Sequence, residues 1–192
     1  MDDMLESTQL KPTEGTTGAV TRQEFKDRAF VENILRKCIM GDTGAMETVY
    51  IAYKTPLYNL AYRFTHASSG AEDLLQEIFI KVLQNIHRLK KHGAFDAWIY
   101  RIAVNTCISF TRKRKMIDEE YLDERPYSTG SNGGNHLDIL DLKGAVRKLP
   151  AKQKAVFILY DMQGFSHREI AEIMKWTEGT SKSQLFKARM KL

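Results

Sequence analysis

Residues 166–192 read SHREIAEIMKWTEGTSKSQLFKARMKL. Ser166 and Glu169 stand three apart at a helix start, the spacing at which each side chain caps the other's backbone N–H. Ile170, Ala171, Ile173 and Met174 supply an apolar stripe. Thr177 then caps a second helix from about Glu178 onward. On that helix Ser181, Leu185 and Ala188 recur at i, i+4, i+7 and share one side. Lys182, Ser183, Lys187 and Lys191 fall elsewhere, free to meet an anion. A short helix, a tight turn and a second helix exposing cations is how a helix-turn-helix offers its recognition helix to a DNA major groove.

Upstream of this stretch the pattern stays helical. A helix is expected near Ala151–Met162, with a turn at Gly164 and another helix over Leu140–Leu149 stopped by Pro150. Before it, acids cluster at Asp118–Glu124, followed by Pro126 and the run STGSNGGN at 128–135, a flexible linker by composition. Further helices are expected near Glu24–Met40, Ala45–His66, from a Ser69/Glu72 capping box to about Leu89, and over Phe95–Lys115. Pro56 should kink or interrupt the second of these. Lys90–Gly93 reads as a basic loop. The expected fold is all-α, with no convincing strand alternation. A disordered tail (1–22) precedes a helical domain (23–116), an acidic flexible linker (117–139) and the helix-turn-helix domain (140–192).

The net charge of +5 over 192 residues hides a segmental pattern. Residues 21–116 carry 16 basic and 9 acidic side chains, and residues 142–192 carry 11 and 4. The stretch 117–141 between them has seven acids and one arginine. Two cationic modules on one anionic polymer explain this better than a single enzyme core. No apolar run reaches membrane-spanning length and the start MDDMLESTQL resembles no secretion signal, so no membrane insertion and a cytoplasmic location are expected. The two cysteines, Cys38 and Cys107, read as reduced, buried thiols. The five histidines show no ligand spacing, so no metal or other cofactor is expected.

Two helix faces carry chemistry. On the helix from Ala71 to Leu89, Leu74, Leu75, Ile78, Phe79, Val82, Leu83 and Ile86 form a core stripe. The opposite face holds Asp73, Gln76, Glu77, Ile80 and Gln84, which reads either as solvated surface or as a protein-binding face. On the helix from Phe95, one face holds Phe95, Ile99, Ile102, Ala103, Thr106 and Phe110. Another aligns Trp98, Arg101, Asn105 and Arg112, closed by Lys113, Arg114 and Lys115. Cations interleaved with an aromatic and an amide suit phosphates and unstacked bases; Trp98 as plain core is an equal alternative. Glu72, Asp73 and Glu77 share a helix face with no His or basic partner, which argues against a nucleic-acid enzyme.

The stretches GAEDLLQEIFIKVL, FDAWIYRIAVNTCISFTRKRK and LPAKQKAVFILYDMQGFSHREIAEIMKWTEGTSKSQLFKARMKL resemble a bacterial RNA polymerase sigma factor of the extracytoplasmic-function (group IV) type. The resemblance covers roughly residues 25–115 as region 2 and 140–192 as region 4. It implies a promoter-specificity subunit, not an enzyme, that binds core RNA polymerase and promoter DNA. Asp73, Gln76, Glu77 and Ile80 would dock on the polymerase. Asn105 would hold a base flipped from the −10 element, with Trp98, Arg101 and Arg112–Lys115 supporting strand separation. Lys182, Ser183, Gln184, Phe186, Lys187 and Arg189 would read the −35 element. The resemblance also suggests an anti-sigma partner and a linker whose acids suit the polymerase's RNA exit path. Ser181 departs from a usual Val or Ile, Lys175 from Gly, Asn or Asp, and Lys182 and Gln184 from Arg. The main alternative is a stand-alone helix-turn-helix regulator, separable by gel shift with and without core polymerase.

Overall fold

Capping carboxylates set where the first helices begin. The computed structural model describes residues 25, 27–89, 94–121 and 144–192. α1 (Arg28–Ile39) starts where Asp27 accepts the Phe30 N–H at 3.0 Å. α2 (Thr43–Thr65) starts where Asp42 accepts the Ala45 N–H at 2.8 Å. Gly41, at φ +84°, turns the chain between them, in a region glycine enters without steric cost. α3 (Ser68–Asn85) runs on as a 3-10 turn over Ile86–Arg88, and α4 spans Phe95–Tyr121. A short α5 (144–148) precedes α6 (Ala151–Phe157), which widens into a π turn over Ile158–Met162. α7 (His167–Met174) and α8 (Glu178–Arg189) complete the chain. Among the described residues there is no strand, and the all-α expectation holds.

The first module is built around α2, which packs on α1, α3 and α4. Its Tyr53, Leu57, Leu60 and Ala61 are fully buried, as are Ile78 and Val82 of α3 and Ile99 and Ala103 of α4. Each large apolar side chain buried this way contributes about 1.5–3 kcal/mol. Phe25 closes one end, its ring against Phe30, Tyr53 and Phe95. Tyr53 ends in a hydrogen bond from its hydroxyl to Asp96 at 3.0 Å. Cys38 and Cys107 are buried free thiols, and burial pushes them up to about 11 and about 12.

Several expectations need correction. α2 runs through Pro56 as one helix, so of the kink or interruption expected there the interruption does not occur; Ala52, Tyr53, Leu57 and Leu60 are buried on both sides of the proline. α3 begins at Ser68 behind Ala67, with no side-chain cap, so the Ser69/Glu72 box does not form. The chain turns earlier there: His66 takes a left-handed conformation (φ 59°) and Thr65 Oγ1 accepts the Ala67 N–H. Leu83 is 39% exposed rather than core. α4 continues to Tyr121, beyond the expected end at Lys115 and into the stretch read as linker, since the residues MIDEEY include good helix formers. The tail 1–22, the basic loop Lys90–Gly93, residues 122–139 of the linker and the start of the Leu140–Leu149 helix lie outside the described residues.

α4 is buried more widely than its apolar stripe implies. Tyr100, Val104 and Cys107 join Ile99 and Ala103 in the core; α4 packs on α6 and α7 as well as on α2 and α3. The Tyr100 ring meets Phe165 edge-on at 4.6 Å.

Candidate nucleic-acid interface

The helix-turn-helix forms as its capping residues dictate. Ser166 Oγ accepts the Glu169 N–H, and the Glu169 carboxylate accepts the Ser166 N–H at 2.8 Å. Lys175 takes the turn in a left-handed conformation at φ 55°, and Thr177 Oγ1 accepts the Thr180 N–H at 3.1 Å to open α8. Ser181, Leu185 and Ala188 are buried, as their spacing requires. The departure at Ser181 has a local cause. Its hydroxyl, with no exposed surface, pairs with His167 Nδ1 at 2.9 Å, so a polar group replaces a branched apolar one without being orphaned.

On the outer side of α8, Lys182, Ser183, Phe186 and Lys187 are exposed and Gln184 is half-buried. Phe186 is 66% exposed. Arg189 is exposed as well, and its fork closes on the Asp161 carboxylate with its guanidinium over the Tyr160 ring. The hydrogen bond to Asp161 holds its charge even more firmly than an ordinary arginine's.

A second surface lies between α3 and α4. Lys81, Asn85, Arg88, Trp98, Ile102, Asn105, Thr106 and Ser109 line an open cavity of about 440 Å³. Trp98 is half-buried and stacks on Phe95, while Asn105 is exposed. Lys81 reaches across to Thr106 Oγ1 at 3.2 Å and back to Glu77 at 2.5 Å. Trp98 and Asn105 thus come together. Arg101 does not join them, because its guanidinium donates to the backbone carbonyls of Glu172 and Ile173. Arg112 and Lys113 are exposed one to two turns on, and Arg114 makes a long contact to the Thr65 carbonyl. The Lys115 side chain is outside the described residues. The residues missed by reading α4 alone are Lys81, Asn85 and Arg88. Their i, i+4, i+7 spacing on the preceding helix was the available signal.

The third surface is the outer face of α3, where Asp73, Gln76, Glu77 and Gln84 are exposed and Ile80 is 54% exposed. Exposed Leu83 continues it, so two aliphatic side chains stand among acids and amides. Among the described residues no group of His, Cys, Asp and Glu is arranged to hold a metal ion, and no helix is long and apolar enough to cross a membrane.

Two helical modules, one ending in a helix-turn-helix and the other carrying an aromatic–amide cavity flanked by cations, define a nucleic-acid reader of two parts. Comparison with known proteins makes the class specific. The family described as Sigma-70 region 2 matches residues 49–116, and Sigma-70, region 4 matches residues 139–192. The ECF RNA polymerase sigma factor SigE of Mycolicibacterium smegmatis is 30% identical over 162 residues, covering 79% of this chain and 63% of that protein. The ECF RNA polymerase sigma-E factor of Escherichia coli is 28% identical over 181 residues, covering 87% and 92%. The solved sigma factor RpoE, in complex with the anti-sigma factor NepR from Bartonella quintana, superposes with a TM-score of 0.55. It is 28% identical, with 71% of this chain and 86% of that one covered. The chain belongs to the sigma-70 family, extracytoplasmic-function type. It is a promoter-directing subunit of RNA polymerase and not an enzyme.

Proposed function

We propose a division of labour among the three surfaces. The outer face of α3, with Asp73, Gln76, Glu77 and Ile80, docks on core polymerase. The α3–α4 cavity, with Trp98 and Asn105, receives a base flipped from the −10 element. Arg112, Lys113, Arg114 and Lys115 hold the phosphates of the opened strand, joined by Arg101 once it is released. Lys182, Ser183, Gln184, Phe186 and Lys187 read the −35 element, and Arg189 steadies the helix that carries them.

The observation that carries this is the cavity: an indole wall and an exposed amide sharing about 440 Å³ with Lys81 and Arg88. An unstacked base needs a planar apolar partner, hydrogen bonds to its edge and cations for its phosphates. A factor acting on chromosomal promoters works in the cytoplasm. The complex of RpoE with NepR supports an anti-sigma partner for this chain as well.

The test uses core polymerase, the full chain and a promoter carrying 2-aminopurine in its −10 element. Asn105→Ala is expected to lower the fluorescence rise on opening about tenfold while leaving core binding unchanged. Wild-type opening by that variant overturns the assignment of Asn105. A promoter complex that forms equally well without core polymerase overturns the whole reading in favour of a stand-alone regulator.

A further inference from the structure

α2 turns outward a row of tyrosines that core packing does not call for. Tyr50, Lys54, Tyr58 and Tyr62 recur every four residues, so they follow one another along one side of the helix. Lys54 Nζ lies 5.9 Å from the centre of the Tyr50 ring. The Tyr58 and Tyr62 rings stack, 6.3 Å apart at an interplanar angle of 22°. Tyr50 and Tyr62 are 42% and 44% exposed. The core side of α2 is supplied by other residues, Tyr53, Leu57, Leu60 and Phe64. Scattered single rings are ordinary on a surface, but a contiguous row marks a contact face.

The charge around the row selects what it contacts. Between Glu47 and Glu72 the chain has no acid, while Lys54 and Arg63 lie within that stretch. At the C-terminal end of the row, Arg114 of α4 donates to the Thr65 carbonyl at 3.5 Å, and Arg112 and Lys113 stand exposed on the same helix. The charges of Arg147 and Lys154 reach His66, one turn beyond Tyr62. An anion that also carries planar rings answers both features, and single-stranded nucleic acid is such an anion. The row is also within reach of the α3–α4 cavity. Asn105 and Arg114 are nine residues apart on α4, or about 14 Å along its axis. With phosphates about 3.4 Å apart along one strand, about four nucleotides at most cover that distance.

Resting on the promoter-reading function above, we infer that Tyr58 and Tyr62, with Lys54 and Arg63, form a second stacking platform for the opened promoter strand. A base a few nucleotides from the flipped one settles on the Tyr62 ring, and Arg112, Lys113 and Arg114 carry the backbone across from the cavity. A base stacked there is kept from pairing again, so the platform holds the opened state. It reads no sequence, because every base offers a π-face.

The test measures binding of holoenzyme, made from core polymerase and the full chain, to single-stranded oligonucleotides. One carries the −10 element alone, and two others extend it by about four nucleotides, one at each end. One of the extensions is expected to tighten binding about tenfold whatever its bases, and an abasic extension of the same length to gain less. Tyr62→Ala is expected to abolish that gain and to leave binding of core polymerase, of the unextended oligonucleotide and of a −35 duplex unchanged. Tyr62→Trp, which keeps a stacking ring, should retain the gain. An equal gain in wild type and Tyr62→Ala overturns the inference, as does no gain from either extension. Equal weakening of extended and unextended oligonucleotides by Tyr62→Ala overturns it in favour of a role in folding alone. Weakened core binding by that variant overturns it in favour of a protein-docking face. Failure of the promoter reading shows separately, as no polymerase-dependent binding of even the unextended oligonucleotide.

Discussion

Arg189 and Asp161, 28 residues apart, form a forked ion pair that ties the last turn of α8 to the π turn after α6. The pair gives a protein partner to a cation expected from the sequence to read the −35 element. Lys182 and Lys187 remain exposed. Each lysine that meets a phosphate contributes about 0.9 to the slope of log K against log salt. Lys182→Ala and Lys187→Ala are each expected to lower that slope by about one in titrations of holoenzyme on promoter DNA. Arg189→Ala should leave the slope nearly unchanged and lower the melting temperature instead. A slope change as large as that of Lys182→Ala would return Arg189 to the DNA.

The Ser181 hydroxyl and His167 Nδ1 link the two helices of the helix-turn-helix inside the core. His167 also stacks on Tyr160 at 4.5 Å. Removing the histidine leaves a fully buried hydroxyl without its partner, a loss of about 1–3 kcal/mol. His167→Ala is therefore expected to destabilise the protein by about that amount in urea titrations. Ser181→Ala, which removes the polar group along with the bond, should cost less. Equal stability of His167→Ala and wild type would show that the pair holds nothing.

Lys175 pays for the tight turn with its backbone, since an L-residue in the left-handed region is disfavoured by roughly 1–2 kcal/mol. Lys175→Gly removes that strain but raises the entropy of the unfolded chain. The expected net gain is up to about 1 kcal/mol, seen as a melting-temperature rise of roughly 4 °C for a domain of this size. Lys175→Ala keeps the strain and should show no rise. If both variants melt alike, the turn is not strained at this residue.

The helices and the placement of several candidate site residues were legible because their signals are local. Ser166, Glu169 and Thr177 act within one turn, and the burial of Ser181, Leu185 and Ala188 follows from helical period. Trp98 and Asn105 share a cavity for the same reason. What could not be read depends on partners distant in sequence. Arg101 looks like its neighbours until α7 arrives 71 and 72 residues later. Lys81 reads as a surface cation until Thr106 meets it across 25 residues. Tyr100 looks like a flank of the α4 stripe, and the packing of Tyr53 and Phe165, 47 and 65 residues away, makes it core. The Ser69/Glu72 box failed in the other direction. Its local pattern was sound, but the left-handed corner at His66 started the helix ahead of it.

That corner carries the last prediction. His66 caps α2, and its pKa falls from 6.5 to about 4, mainly through burial and then through the charges of Lys154, Arg147 and Arg114. A histidine lowered in the folded state is held neutral. Above pH 6.5 neither state binds its proton, and its contribution to stability is whole. As pH falls from 6.5 towards 4, the unfolded chain takes a proton that the folded chain refuses, so stability is lost through that window. Below about pH 4 both states are protonated and the loss stops growing. Urea titrations between pH 7.5 and 4.5 should show this decline, and His66→Asn, which tolerates the left-handed backbone, should flatten it. Lys154 and Arg147 belong to the second module, so separating the modules removes two of the three repelling charges. The His66 ring, followed by NMR, is expected to titrate near 4 in the free chain. A value near 6.5 in the unmodified free chain would mean that neither the burial nor the charges around this ring are as drawn.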